Sequence, residues 1–341
     1  MLDYSTSEEI HLVSRPKGVP DASCFKQVRR PLPPLAPGEV RVLNEFISVD
    51  PYMRGRMNDG ESYVEPFRLG HVMEGDAIGR VVESRSDGLT VGDRVTHYLG
   101  WRDVAQGPAH EFTKVTDDTV DPKLHLSILG ITGFTAYVGL IAIANLRAGE
   151  TVFVSGAAGA VGSAAGQLAR LLGAGRVIGS AGNADKVRWL IEKAGFDAAF
   201  DYHDGDPLEQ LGRLAPDGID VFFDNVGGPQ LEAAIEAMND FGRAAICGSI
   251  SNYNTDERSA GPRNLGQLIN RSLTLRGFIV TNHRDMWDSF RTAVSAWVRS
   301  GDISVEHTVV DGMGHAVEAF LGLFDGTNLG KMLVQPHPDR L

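Results

Sequence analysis

Cysteine is scarce in this sequence: its 341 residues include only Cys24 and Cys247. Two cysteines so far apart exclude a disulfide framework and a cysteine-rich structural zinc site. This scarcity favours the reducing environment of the cytoplasm. The N-terminal region carries Asp3, Glu8 and Glu9 and no apolar run, so we expect no secretory signal.

Positive charge is also in deficit, because 32 lysines and arginines stand against 44 aspartates and glutamates, a formal net charge of −12. Binding to nucleic acid or to an anionic membrane needs clustered Lys and Arg, so neither is an expected partner. The uncharged run 126–146 has the length of a bilayer span. Its three glycines, Tyr137 and Asn145 favour a buried helix instead.

The length predicts about two domains. Residues 1–123 contain short β-type runs separated by Pro and Gly, which are typical of a small β-barrel or sandwich. The tail returns to this character around a helix at 313–324, so we assign 1–123 and 303–341 to one domain. Its predicted strands cover 41–50, 77–84, 93–100, 110–115, 305–312 and 330–336.

Residues 124–302 alternate apolar strands with helices, which is the pattern of a parallel sheet covered on both faces. The predicted strands cover 151–156, 176–181, 198–202, 219–226, 243–248 and 273–280; the predicted helices cover 160–172, 184–195, 206–214, 229–239 and 262–271. Six such strands complete a dinucleotide-binding sheet, so the predicted fold class is α/β with a doubly wound Rossmann sheet.

A glycine-rich turn joins the first strand of this sheet to its first helix, in VFVSGAAGAVGSAAGQLARLLGA at 152–174. Gly156, Gly159 and Gly162 let the backbone approach a pyrophosphate, and the helix N-terminus supplies N–H groups and positive charge. Glycines also serve plain strand-to-helix packing, and Gly166 lies on the inner face of the helix. The flanking strand, helix and second strand favour cofactor binding over packing alone.

The end of the second strand indicates which nicotinamide cofactor binds. NAD-specific sites usually carry Asp or Glu there, whereas this strand ends in Ser180, Ala181, Gly182 and Asn183, with Lys186 beyond. Small residues admit a 2′-phosphate and a lysine pairs with it, so NADPH is the predicted cofactor. The alternative for Lys186 is a solvated lysine in a first helical turn.

Seven segments together resemble the group of leukotriene B4 12-hydroxydehydrogenases, prostaglandin reductases and alkenal double-bond reductases, which are zinc-independent medium-chain dehydrogenases/reductases. These segments are SVDPYMRGRM (48–57), GHVMEGDAIGRV (70–81), LGITGFTAYVGL (129–140), SGAAGAVGSAAGQLA (155–169), FFDNVGG (222–228), ICGSISNYN (246–254) and NLGKMLV (328–334). The resemblance implies a GroES-like β-barrel substrate domain, a Rossmann domain at 124–302, an active site in the cleft between them, and a homodimer.

Zinc-dependent relatives carry a catalytic Cys where SVDPYM stands here, and a second cysteine cluster that this chain lacks. His71 has no thiolate partners, so we interpret it as a structural or hydrogen-bonded histidine and predict no bound metal. Without a metal to polarise a carbonyl, reduction of an activated C=C bond is the more natural chemistry.

Two tyrosines are candidate catalytic residues. Tyr253 aligns with the tyrosine that the resembling reductases are thought to use as the proton donor to the enolate, and a phenol is protonated at neutral pH. Its alternative role is to line the cofactor pocket. The resemblance places Tyr52 beside the nicotinamide as a substrate-pocket residue, and its alternative is packing behind a Pro turn.

The remaining cofactor contacts follow from the Gly-rich turn, from the strand ends and from the resemblance. We expect Cys247 to be a small thiol beside the cofactor and not a nucleophile. The predicted cofactor-binding residues are Thr135, Gly156, Ala157, Gly159, Ala160, Val161, Ser180, Gly182, Lys186, Tyr202, Asn225, Cys247, Ser249, Tyr253, Phe278, Ile279, Val280 and Asn328.

The sequence thus predicts an NADPH-dependent reductase of α,β-unsaturated aldehydes or ketones. A quinone reductase of the same fold and a non-catalytic NADPH-binding protein are the alternatives. The polar stretch at 254–264 replaces a loop that varies in the group and is expected to border the substrate entrance, so the substrate is not implied by the resemblance.

Overall fold

The computed structural model describes residues 4–60, 62–255 and 260–338. The chain divides into two compact units, one made of Met1–Leu126 with His307–Leu341 and the other of Ser127–Glu306. Residues 256–259 of the stretch expected to border the substrate entrance lie outside the described residues.

The N-terminal part of the first unit is dominated by strands. It contains β1 (Thr6–Leu12), β2 (Phe25–Pro31), β3 (Glu39–Ser48), the short helix α1 (Met53–Arg56), β4 (His71–Val72), β5 (Ala77–Ser84), β6 (Arg94–His97), β7 (Val104–Pro108) and β8 (Thr113–Lys114). The strand predicted at 110–115 is wrong in its first half, because Ala109–Glu111 form a 3-10 turn before β8.

The second unit alternates helices and strands. Its elements are α2 (Ile131–Val138), β9 (Thr151–Val154), α3 (Ala160–Leu171), β10 (Arg176–Ala181), α4 (Ala184–Glu192), β11 (Ala198–Asp201), α5 (Pro207–Leu214), β12 (Ile219–Asp224), α6 (Gly228–Ala237), β13 (Met238–Ile246), α7 (Gly266–Asn270), β14 (Thr274–Gly277) and α8 (Trp287–Ser300). The chain then returns to the first unit with β15 (His307–Asp311), α9 (Ala316–Gly322) and β16 (Lys331–Gln335).

The returning tail completes the main sheet of the first unit. The strand order is β15-β16-β3-β5-β6-β8, with β7 also paired to β3. Leu333 of β16 pairs with Ser48 of β3 in antiparallel register, so the two ends of the chain share one sheet. A second sheet has the order β2-β1-β4.

The sheet of the second unit has the order β11-β10-β9-β12-β13-β14, and its strand pairs are parallel. This is the 3-2-1-4-5-6 order of the Rossmann fold, which confirms the predicted fold class. The ring of Phe153 lies between Phe200 and Phe222, with centroid distances of 5.8 and 5.0 Å. Burying these aromatic side chains on strands fixes the sheet against its helices.

The uncharged run 126–146 is less regular than predicted. Helix α2 occupies its middle and continues into a π-helical turn at Gly139–Ile143, so the helix is shorter than the run. Phe134, Val138 and Leu140 are buried, as expected for a helix inside a globular unit. Within the described ranges, no helix is long and apolar enough to cross a membrane.

The contact between α3 and Phe196 requires a glycine at position 166. A Cβ added to Gly166 would lie 2.6 Å from Cε1 of the Phe196 ring. We therefore expect Gly166→Ala to lower the free energy of unfolding by about 2 kcal/mol through overpacking, measured by urea titration. Gly212 in α5 has nothing within 4 Å of its Cβ position. Gly212→Ala is the matched control, with an expected gain of about 0.5 kcal/mol, and equal effects would refute the packing argument.

Candidate functional site

The turn between β9 and α3 has the shape that an anion cradle needs. Gly156 has φ +56°, in the left-handed region. A Cβ on Gly162 would lie 2.8 Å from the Cα of Ala157, so a side chain there would fill the turn. Gly159 is the N-cap of α3 and offers no side-chain cap, which leaves the N–H groups at the start of the helix for a ligand. This geometry fits a pyrophosphate.

The predicted residues of this turn divide into exposed and buried members. Gly156, Gly159, Ala160 and Val161 keep some exposure, whereas Ala157 is buried and its N–H donates to the carbonyl of Ser180 (2.8 Å). Ala157 therefore joins the turn to the end of β10.

A buried hydrogen-bond node holds the ends of β9 and β12 together. Oδ1 of Asp224 accepts from Ser155 Oγ (2.8 Å) and from the N–H groups of Val226 (3.0 Å) and Gly227 (2.9 Å). Nδ2 of Asn225 donates to the carbonyl of Ser155 (2.8 Å). Burial raises the pKa of Asp224. Asn225 was predicted as a cofactor contact. Ser155 and Asp224 were not, although an acid that ends a buried strand is a signal for them.

The end of β10 carries the small residues Ser180, Ala181 and Gly182. Ser180 is fully buried and its hydroxyl donates to Oε1 of Gln230 (2.5 Å), so this predicted contact is directed to the interior. A Cβ on Gly182 would lie 2.9 Å from the hydroxyl of Tyr202, which brings those two predicted residues together.

Lys186 lies in the first turn of α4, close in sequence to this pair. Its backbone N–H donates to Oδ1 of the helix cap Asn183 (2.9 Å). Burial lowers the pKa of Lys186, because the ammonium group has lost part of its water. Positions 180–183 hold no carboxylate.

The segment after β13 carries Cys247, Ser249 and Tyr253. Burial, with a smaller effect of the Asp224 carboxylate, raises the pKa of Cys247 to about 12, so the thiol stays protonated. The hydroxyl of Ser249 accepts from Nδ2 of Asn252 (2.6 Å). A Cβ on Gly248 would lie 3.4 Å from the Tyr253 hydroxyl. Burial is the main cause that raises the pKa of Tyr253, which keeps the phenol protonated.

The other predicted contacts of this unit are placed by α2 and β14. The hydroxyl of Thr135 donates to the carbonyl of Ile131 (2.7 Å). Phe278 packs against the π-helical turn, where a Cβ on Gly139 would lie 3.1 Å from its ring. Ile279 and Val280 follow it and are partly buried. Asn328 belongs to the first unit, where its amide donates to the carbonyl of Gly330 (2.9 Å).

In the first unit, Tyr52 belongs to a cluster that sequence reasoning missed. Its hydroxyl lies 2.9 Å from the hydroxyl of Tyr98. Arg56 donates from NH1 to the Tyr98 hydroxyl (3.1 Å) and from NH2 to Glu74 (3.2 Å). Tyr98 has no motif around it, and it reaches the helix that follows Tyr52 because β5 pairs with both β3 and β6.

A second polar cluster lies close to Tyr52. Lys331 is buried and its Nζ donates to the carbonyls of Val49 (2.7 Å) and Met332 (2.9 Å) and pairs with Asp50 (3.1 Å). Burial, reinforced by the Asp50 carboxylate, raises the pKa of Asp76 to about 7. One of the two acids is therefore paired with a cation, while the other binds a proton near neutral pH.

The raised pKa of Asp76 gives a pH dependence of stability. The folded state holds the proton more tightly than the unfolded chain, so the contribution of Asp76 to stability is complete below about pH 4 and is lost as pH rises to about 7. We expect Asp76→Asn to be more stable than the parent by about 2 kcal/mol at pH 8 and equal to it near pH 4, measured by urea unfolding. The exposed Asp87→Asn is the control. A pH-independent difference would contradict the assignment.

No group of three or more His, Cys, Asp or Glu side chains in the described part of the chain is placed to hold a metal ion. His71 is exposed, and its Nδ1 lies 3.1 Å from the carbonyl oxygen of Leu69. This histidine is hydrogen-bonded to its own loop.

A glycine cradle on a 3-2-1-4-5-6 sheet in one unit, together with a second, β-rich unit built from both chain ends, is the combination found in medium-chain dehydrogenases/reductases. Two family descriptions match: N-terminal domain of oxidoreductase over residues 8–115, and zinc-binding dehydrogenase over residues 160–298. The chain belongs to this family, within the group that includes prostaglandin and alkenal reductases.

Three relatives locate the chain in that group. It is 40% identical to the NADP(+)-dependent 2-alkenal reductase of Nicotiana tabacum, over 88% of each chain. It is 40% identical to prostaglandin reductase 1 of Rattus norvegicus, over 94% of this chain and 96% of the relative. The crystal structure of CurA from Vibrio vulnificus in complex with NADPH is similar with a TM-score of 0.91 and 36% identity, over 96% of this chain and 98% of that one.

Proposed function

We propose that this protein is an NADPH-dependent reductase of the C=C bond of α,β-unsaturated aldehydes and ketones. The observation that carries the proposal is a protonated phenol, Tyr253, after β13, on the same sheet whose β9–α3 turn forms the glycine cradle. The relatives named as 2-alkenal reductase and prostaglandin reductase support the same reaction type.

The Rossmann unit holds the cofactor in this proposal, and the β-rich unit binds the substrate. The backbone at Gly156, Gly159, Ala160 and Val161 binds the pyrophosphate, because Gly156 takes a left-handed φ and a side chain at Gly162 would fill the turn. The 2′-phosphate is bound at the end of β10. Gly182 leaves room for it, the Lys186 ammonium group pairs with its charge, and the Tyr202 hydroxyl donates a hydrogen bond to it. Bound NADPH supplies the hydride. Thr135 is assigned to the nicotinamide end, and the other proposed cofactor contacts are Asn225, Cys247, Ser249, Phe278, Ile279, Val280 and Asn328.

Two tyrosines contact the substrate in this proposal: Tyr253 as the proton donor and Tyr52 as a residue of the substrate pocket. When hydride reaches the β-carbon, negative charge develops on the carbonyl oxygen, and a phenol donor stabilises that enolate. Tyr253 then delivers the proton, since its raised pKa keeps the proton in place until the enolate forms. Cys247 has no role as a nucleophile in this proposal, because burial raises the pKa of its thiol to about 12 and the thiol stays protonated.

The function is tested by following NADPH absorbance with a panel of 2-alkenals, enones and quinones. We expect turnover of enals and enones, with the saturated carbonyl as the product. Turnover of quinones alone would assign a quinone reductase, and tight NADPH binding without turnover of any of them would assign a binding protein. Either result would overturn the proposal.

We infer that the protein is a cytoplasmic homodimer that pairs through the free edge of β14. The exposed side chains of Phe241 (69%) and Ile269 (85%) lie next to this edge strand and are apolar. Exposed apolar groups beside an open strand edge are typical of an interface. Sedimentation should give a dimer for the parent and a monomer for Ile269→Glu; a monomeric parent would refute the inference.

A further inference from the structure

Arg56, Tyr98 and Tyr52 form a hydrogen-bonded chain that the proposed mechanism does not yet use. Arg56 is 5% exposed, and its guanidinium lies over the ring of Phe67 at 4.0 Å. Nε donates to the carbonyl of Glu65 (2.9 Å) and NH2 to Glu74 (3.2 Å). These contacts fix the plane of the guanidinium and aim NH1 at the Tyr98 hydroxyl, 3.1 Å away.

The donors and acceptors available fix the direction of the first hydrogen bond in this chain and leave two arrangements for the second. A guanidinium has only donors, so the Tyr98 oxygen must accept from Arg56. The Tyr98 proton is then available for the Tyr52 oxygen at 2.9 Å. If Tyr98 donates to Tyr52, the proton of Tyr52 is left for a further acceptor. In the reverse arrangement, the Tyr52 hydroxyl donates its hydrogen bond to Tyr98 and has no proton left for another acceptor.

The surrounding charges favour donation from Tyr98 to Tyr52. Burial and the Asp50 and Asp76 carboxylates raise the pKa of both phenols, but the Arg56 cation lowers the pKa of Tyr98 alone. The more acidic phenol donates to the less acidic one. A cationic donor on the Tyr98 oxygen also polarises its O–H bond, which strengthens the next bond in the chain.

We propose that Tyr98 and Arg56 are positioning residues that direct the proton of Tyr52 onto the carbonyl oxygen of the substrate, so that Tyr52 stabilises the enolate by a hydrogen bond. No proton is transferred in this step. This inference rests on the proposed function, because it assigns Tyr52 to the substrate and leaves proton delivery to Tyr253.

A double-mutant cycle on Tyr52 and Tyr98 tests the chain. We expect Tyr52→Phe to lower kcat for an enone roughly 30-fold and Tyr98→Phe roughly 5-fold, with NADPH affinity unchanged. Tyr98→Phe should have no further effect when Tyr52 is already Phe, because it acts only through that hydroxyl. Additive losses would overturn the proposal. Tyr4→Phe removes a phenol hydroxyl of the same unit outside the cluster and is the control.

Binding of 4-nitrophenolate to the NADP+-loaded protein gives a readout without turnover, since its oxyanion imitates an enolate. The proposal expects Tyr98→Phe to weaken binding, followed by the absorbance of the phenolate. If Tyr52 instead donates to Tyr98, the same variant frees its proton and binding tightens, which overturns the proposal. A parent that binds the phenolate in this way but reduces no enone would separate failure of the proposed function from failure of the chain.

The Arg56→Lys variant keeps the positive charge and removes the guanidinium, so it tests whether the fixed orientation of that group is needed. A lysine cannot reproduce the fork that reaches Glu65, Glu74 and Tyr98 together, so the variant should show the Tyr98→Phe loss in phenolate affinity. Thermal unfolding shows whether the variant is folded. A folded Arg56→Lys protein with parental affinity would remove Arg56 from the chain.

Discussion

Replacing Tyr253 by phenylalanine should lower kcat for an enone by about 100- to 1,000-fold while the affinity for NADPH stays unchanged. This is the size expected for loss of a general acid that touches the reacting group. The structure supports the role because burial raises the pKa of the Tyr253 phenol, so it holds its proton across the neutral range. Steady-state kinetics with a saturating enone, together with an NADPH titration, measures both quantities.

A second phenol in the same unit provides the control for Tyr253. The ring of Tyr137 packs against Phe290 with a centroid distance of 5.7 Å, and Tyr137→Phe should keep parental kcat. The parent should also keep its kcat as pH rises to about 9, because the raised pKa of Tyr253 lies above that value. An unchanged kcat in Tyr253→Phe would assign the proton to another donor.

Replacing Lys186 by alanine should weaken NADPH binding about 100-fold and leave NADH binding nearly unchanged. The two cofactors differ only in the 2′-phosphate, and a charge-assisted bond from an ammonium group to that phosphate is worth a loss of this size. Partial burial of Lys186 strengthens the bond, because less water screens it. Fluorescence titration with each cofactor gives the two dissociation constants.

Lys193, at the C-terminal end of the same helix, is the matched control for Lys186 because it is exposed and lies two turns away. Lys193→Ala should bind both cofactors as the parent does. An equal loss for NADPH and NADH in Lys186→Ala would show that the residue supports the pocket as a whole and does not read the phosphate.

The Rossmann sheet was predictable because its strands are short apolar runs between helices. The boundary between α6 and β13 was not: we predicted a helix to 239, but the helix ends at Ala237 and the strand begins at Met238. The register of β12 with β13 shifts after Ile219, and Phe241 has φ +63°. Such an irregularity interrupts the alternation of apolar and polar residues by which a strand is recognised in a sequence.

The sequence did not predict β1, whose buried face includes polar residues, or α8, which has few buried apolar residues. Strand β1 buries Ser7 and Glu9 as well as Ile10 and Leu12, so its inward face does not read as apolar. Glu9 is accommodated by His11, 2.7 Å away. Helix α8 was not predicted, because only Phe290 and Val294 of its residues are buried.

Site residues could be predicted where they lie within one sequence motif. They could not be predicted where the folded chain brings together residues that are distant in sequence. The glycine turn, Lys186 and Tyr253 each lie in a motif with its own signal. Tyr98 lies 42 positions beyond Arg56, and their hydrogen bond follows only from the folded first unit. No local sequence pattern predicts a contact between two residues so far apart in the sequence.

The node of Ser155, Asp224 and Asn225 has a mechanical consequence. It joins β9 to β12, the two neighbouring strands between which the sheet changes its direction of winding and where a doubly wound fold opens its ligand crevice. Because these hydrogen bonds join the ends of the two strands, we expect the distance between the strand ends to be set before any ligand binds. If the cofactor binds there as proposed, we expect it to lose little binding energy to ordering the protein.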